Sequence, residues 1–122
     1  MNAAPHLAIG SAAEAAAARF LERSGYRILT SNFRAKGGEL DLVAMDGTAL
    51  AIVEVRYRAS DRFGGAAGSI TAAKRGRIVR AARALLATHP TLAKLPARFD
   101  VVEVSGTAEK LDCQLIRGAF SL

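Results

Sequence analysis

Gly37 to Arg58 reads GGELDLVAMDGTALAIVEVRYR, two aliphatic runs on either side of Asp46-Gly47. That pattern predicts two β-strands joined by a tight turn, because Asp-Gly between apolar runs is a strong short-range hairpin signal. Leu40, Leu42, Ala49 to Val53 and Val55 provide the strand content. An ordinary buried hairpin would not carry Glu39, Asp41, Glu54, Arg56 and Arg58 at period two, and period two assigns them to one face.

The register decides how close the acids come. A two-residue turn at Asp46-Gly47 pairs Met45 with Thr48, hence Asp41 with Ile52 and Glu39 with Glu54, whereas a four-residue turn pairs Asp41 directly with Glu54. Either even-length turn places Glu39, Asp41, Glu54 and Arg56 on the same side, with Asp41 and Glu54 at most diagonal neighbours roughly 7 to 8 Å apart. A three-residue loop with a bulge would break that arrangement.

Like charges crowded on a half-buried sheet face repel one another and lose hydration, so they need a compensating partner. The residues admit two. A divalent cation such as Mg²⁺ or Mn²⁺ takes hard oxygen ligands and is satisfied by one or two carboxylates plus water. Alternatively, Arg56 and Arg58 neutralise the acids in a surface network.

The whole chain has 122 residues, enough for one core and not for two, with a domain expected over residues 9–122 after a mobile tail from Met1 to Ala8. Its 51% hydrophobic and 23% charged content is that of a globular protein. Seventeen Lys and Arg against eleven Asp and Glu give a net charge of +6. The resulting pI near 10.2 suits a polyanionic partner. Cys113 is the single cysteine, which excludes an intramolecular disulfide and favours a cytoplasmic location. No basic signal-peptide start is present, and no run approaches the roughly 18 apolar residues of a membrane span.

Ser11 is expected to cap a first helix running to about Arg23, with Gly25 stopping it and Ala13, Ala17, Phe20 and Leu21 facing inward. Glu14 lies at the edge of that stripe, either facing the sheet or simply complementing the helix dipole. Tyr26 to Phe33 reads as a strand, and Asn32 to Gly38 as a basic, glycine-rich connection in which Arg34 and Lys36 could meet phosphate. Ala59 to Gly68 reads as a loop.

A second helix is expected from Thr71 to Thr88, burying Ile78, Val79, Ala82, Leu85 and Leu86 and leaving Arg77, Arg80 and Arg83 on a solvated side. Lys74 and Arg75 fall in its first turn, where the helix dipole disfavours cations unless an anion binds among them. Arg98 to Val104 and Leu111 to Ile116 read as further strands around a turn at Gly106. Asp100 is either one more acid of the site or the partner of Arg98 or Arg117.

Asp41, a short turn and then Glu54-Val55-Arg56 resemble the PD-(D/E)xK motif of metal-dependent nucleases. Gly10 and Glu14, Gly25-Tyr26, Asn32-Phe33-Arg34, Gly38 to Leu42, Val53 to Arg56 with Arg58, Phe63-Gly64, Lys74 and Arg98 to Val101 together resemble the uncharacterised bacterial YraN-like family. That family is assigned to the same superfamily and is similar to archaeal Holliday-junction resolvases. The resemblance implies an α/β, restriction endonuclease-like sandwich with a central mixed five-stranded sheet flanked by helices. It also implies a Mg or Mn cofactor held by Asp41 and Glu54, with Glu14 and Glu39 in support.

On this reading the function is hydrolysis of DNA phosphodiester bonds, with a preference for branched DNA. Asp41, Glu54 and Arg56 carry the chemistry, and Arg34, Arg58, Arg62, Lys74 and Arg75 contact the nucleic acid. A resolvase-like scaffold also suits a homodimer. Arg56 departs from the pattern, which has lysine there, because a guanidinium stays protonated and cannot act as a base. Lys74 is a second source of that lysine. The alternative reading is a nucleic-acid-binding module that keeps the scaffold without cutting, and a protein-interaction domain with a basic surface is a third.

Overall fold

The computed structural model describes residues 5–58, 70–107 and 109–120, with side chains from residue 10 onward. In chain order the elements are α1 (Pro5–Arg23), β1 (Arg27–Ala35), β2 (Gly38–Asp46), β3 (Ala49–Arg58), α2 (Ala72–Thr88), the single-turn α3 (Pro90–Ala93), β4 (Ala97–Thr107) and β5 (Lys110–Phe120). The strands form one sheet in sequence order, antiparallel except for the β3–β4 pair. That parallel pair needs a crossover, and α2 lies within the chain that makes it.

Alternate residues of β3 feed two cores. Ala51 and Val53 pack with Leu42, Val102 and Val104 against Ala13, Ala17 and Leu21 of α1. Leu50 and Ile52 pack with Val43 and Phe99 against Ile78, Ala81, Ala82 and Leu85 of α2. A run as apolar as Leu50 to Val53 is what a strand covered on both faces requires. The expected α/β sandwich with a mixed five-stranded sheet is therefore the observed architecture.

Several boundaries differ from expectation for identifiable reasons. Helix α1 starts at Pro5, so Ser11 lies inside it and caps nothing, and Pro5 to Ala8 are helical where a tail was expected. Alanine-rich sequence on both sides of Ser11 favours continuing the helix, and proline is well accommodated in a first turn. The first four residues of the expected tail and the connection over 59–68 lie outside the described residues. The stop at Gly25 is as expected: its φ is 97°, and Tyr26 N–H closes the helix end by donating to Leu21 O at 2.9 Å.

Helix α2 begins where the pattern placed it, with Thr71 Oγ1 accepting from Lys74 N–H at 3.1 Å. Gly106 is not in a turn; it pairs with Leu111 inside the longer β4–β5 ladder. No helix among the described residues is long and apolar enough to cross a membrane.

Candidate functional site

The hairpin turn is one residue later than Asp46-Gly47, because Asp46 pairs with Ala49 and the connecting residues are Gly47 and Thr48. Gly47 takes φ 62°, a conformation that favours glycine. The resulting register runs to Leu42 opposite Val53, and one step further would set Asp41 opposite Glu54. The regular ladder ends before that step. Val55 N–H donates instead to Asp41 Oδ2 at 2.8 Å, so the strands part where the two acids stand.

The other side of β2 is interrupted at the same place. The β1–β2 pairing passes from Ser31–Leu42 to Phe33–Leu40 and skips Asn32, which has φ 53°. Asparagine is among the few residues that tolerate that region. Side-chain alternation breaks there too, since Leu40 packs in the cluster of Val43 and Leu42 packs in the opposite one. Asp41 thus sits at a double interruption of the sheet.

Asp41 and Glu54 line one hollow of about 370 Å³ together with Gly38, Glu39, Lys74, Arg77 and Ile78. Glu54 is only 6% exposed. Its pKa is pushed up to about 7, first by burial and next by the charge of Asp41, with Lys74 working in the opposite direction. Lys74 Nζ lies 2.6 Å from Glu54 Oε2. The anion expected beside the first turn of α2 is therefore, in the protein itself, Glu54. Close contact keeps the parts together: a Cβ on Gly38 would collide with the Arg77 carbonyl, so β2 starts directly against α2.

The remaining predicted site residues are distributed around this pair. Glu39 borders the same hollow but is half-exposed, with Oε2 3.2 Å from Arg34 Nε. Glu14 lines a neighbouring hollow with Ser31, Asn32 and Leu42. Its pKa is raised by burial first and then by Asp41, which places it within electrostatic reach of the pair. Arg56 is half-buried two positions past Glu54 and does not line the hollow. Arg58 Nη1 is 2.6 Å from Glu103 Oε2 in a largely buried ion pair. Arg75 lies over the Phe120 ring at 5.8 Å. Arg62 lies outside the described residues.

Asp100 does not join the cluster. It is fully buried on an interior strand, where Oδ1 accepts from Arg98 Nε at 2.7 Å and from Gly118 N–H at 2.9 Å. Its Oδ2 accepts from Tyr26 Oη and Arg98 Nη2, both at 2.9 Å. Of its two sequence readings, the pairing with Arg98 is the one observed, on a strand flanked by β3 and β5. Arg77 is the reverse case: assigned to a solvated side, it lines the hollow. Its spacing of three from Lys74, which puts both on one helix side, is the signal that could have found it.

A model of the uncharacterised protein family UPF0102 matches residues 13–104. The chain belongs to that family. A UPF0102 protein of Xanthomonas euvesicatoria pv. vesicatoria is 54% identical over 111 residues, covering 91% of this chain and 89% of the relative. A UPF0102 protein of Xylella fastidiosa (strain 9a5c) is 50% identical over 113 residues, covering 93% and 92% respectively. The UPF0102 match contains α1 from Ala13, the whole hairpin, Lys74, and Tyr26, Arg98 and Asp100 of the buried network, and it ends before β5, which supplies Gly118.

The donor set in this UPF0102 chain suits a small hard cation. Asp41 and Glu54 offer adjacent carboxylate oxygens, and their mutual charge is part of what holds Glu54 protonated into the neutral range. Among the described residues no group of three or more His, Cys, Asp or Glu side chains is arranged as a metal site. Mg²⁺ retains several waters and takes only one or two protein carboxylates alongside substrate phosphate, so the pair meets that requirement.

Proposed function

We propose that this protein is a divalent-metal-dependent nuclease that hydrolyses phosphodiester bonds in DNA, on a restriction endonuclease-like sandwich of the PD-(D/E)xK type. The observation that carries the reading is the convergence of Asp41, Glu54 and Lys74 in one hollow where β2 and β3 part. An acid pair with an ammonium group beside it supplies the charges that phosphoryl transfer uses.

Asp41 and Glu54 would hold Mg²⁺ or Mn²⁺, with Glu39 and Glu14 supporting from the mouth and the adjoining hollow. Such an ion supplies a water of lowered pKa and neutralises charge at phosphorus. Asp41 is oriented for this by the Val55 N–H, which fixes one carboxylate oxygen. Lys74, released from Glu54, would hold the phosphate and stabilise the charge that develops on its oxygens. Lys74 would take the place that the motif gives to the residue at Arg56, a reading supported by the reach of its Nζ to Glu54.

The test is incubation with branched, flapped and single-stranded DNA in Mn²⁺ or Mg²⁺, beside Asp41→Ala. Cleavage by the natural protein and none by the variant is the expected result. Salt-dependent DNA binding with no cleavage under any of these conditions would replace the enzyme by a binding module.

A further inference from the structure

The β1–β2 turn is pressed onto the side of α2 that the periodicity assigned to solvent. Gly38 abuts the Arg77 backbone, and Arg80 Nε donates to Gly37 O at 3.2 Å. Lys36 in the turn and Arg34 at the end of β1, the latter 3.2 Å from Glu39, thus lie on the segment that contacts Arg77 and Arg80 of the helix, and all four side chains are exposed. Arg77 also lines the hollow of Asp41 and Glu54, so the basic ridge runs into the site. The Arg80 bond engages Nε and does not use the two Nη groups.

We infer that Arg34, Lys36, Arg77 and Arg80 form a phosphate-binding ridge that lays a DNA backbone across the mouth of the hollow. The inference rests on the nuclease reading only for what the hollow does; the ridge itself stands on charge and placement. Cations repel one another, and here the fold brings two pairs of them together through a glycine contact that no side chain could share. A polyanion with regularly spaced charges offsets that repulsion along the ridge and releases its own counterions. The ridge leaves out Arg58, whose ion pair with Glu103 is largely buried, whereas Arg34 stays mostly exposed beside Glu39. It adds the helix arginines that the sequence pattern set aside.

The test measures binding without cutting. Anisotropy of a labelled DNA duplex is followed across a salt series in EDTA, for the full chain, Arg77→Ala/Arg80→Ala, Arg77→Lys/Arg80→Lys and Arg19→Ala/Arg23→Ala. The alanine pair on α2 is expected to weaken binding roughly tenfold or more at moderate salt and to make the log–log salt slope shallower by about 2. The lysine pair should keep most of the slope. The α1 pair removes the same charge from exposed positions beside Glu109 and Asp112 and should change little.

Equal losses from both alanine pairs, or none from the α2 pair in a protein whose circular dichroism is unchanged, would overturn the ridge. So would binding of the natural protein to phosphatidylserine vesicles and not to the duplex. Cleavage assays of the natural protein and the α2 alanine pair in Mn²⁺ separate the two proposals: duplex binding by the natural protein without cleavage leaves the ridge and removes the nuclease, whereas cleavage that is unchanged by Arg77→Ala/Arg80→Ala does the opposite.

Discussion

Lys74 and Glu54 face each other across 2.6 Å, joining the first turn of α2 to the middle of β3. Glu54 is nearly buried and has Asp41 beside it, so the pair is an ion pair inside a larger charge problem. Lys74 and Arg77 against Glu39, Asp41 and Glu54 leave the lining of the hollow one charge short of neutral, and burial makes the charge at Glu54 expensive to keep.

Stability of the metal-free protein should therefore fall as pH rises through the neutral range. Glu54 has its folded pKa near 7 and an ordinary value of 4.5, so between these limits the folded state binds more protons than the unfolded one. The contribution is fully present below about 4.5 and is lost as pH passes 7, with an upper bound of about 3 kcal/mol at 1.36 kcal/mol per unit. Urea titrations at a series of pH values should show this decline, and Glu54→Gln should flatten it.

Lys74→Met should lower DNA cleavage by roughly a hundredfold or more, the size of effect seen when one donor to a developing oxyanion is removed. Arg56→Lys should stay within a few-fold of the natural protein, because Arg56 is outside the hollow. Initial rates in Mn²⁺ check both. A large gain from Arg56→Lys with no loss from Lys74→Met would return the role to the β3 position.

Gly38→Ala should destabilise the fold by about 1–3 kcal/mol, since the new methyl has to displace the Arg77 backbone. Gly10→Ala, where a Cβ meets nothing within 4 Å, is the matched control and should be neutral or slightly stabilising. Urea midpoints of the two variants make the comparison.

Asp100→Ala should cost about 3–5 kcal/mol, because it takes the acceptor from Arg98 Nε, the Tyr26 hydroxyl and the Gly118 N–H in one step. Against a total stability of roughly 5–15 kcal/mol this is a large loss, visible in the thermal midpoint. Cleavage by the folded fraction should persist, since the network does not line the hollow.

The sandwich and its site were legible in the sequence to different depths. The continuous apolar run Leu50 to Val53 and the 3.6-residue stripe of Ile78, Ala82 and Leu85 were enough for the layers, because both patterns record burial directly. The closeness of Asp41 to Glu54 followed from counting registers. The turn shifted by one residue because Gly47, and not Asp46, takes the left-handed position, which also frees Asp46 for Arg98 at 2.8 Å.

The break at Asn32 and Asp41 was not legible, since strict alternation was the premise of the count. The position of Arg77 was legible only in part: its spacing of three from Lys74 puts both on one helix side, but the closeness of that side to β2 depends on Gly38. The helix start at Pro5 was missed because alanine on both sides of Ser11 leaves no local boundary.

Calorimetric titration of Mn²⁺ into the natural protein, Asp41→Asn and Glu54→Gln tests the cation site most directly. Saturable heat from the natural protein that is lost in both variants is the predicted result. No heat from the natural protein, or undiminished heat from the variants, would contradict the account.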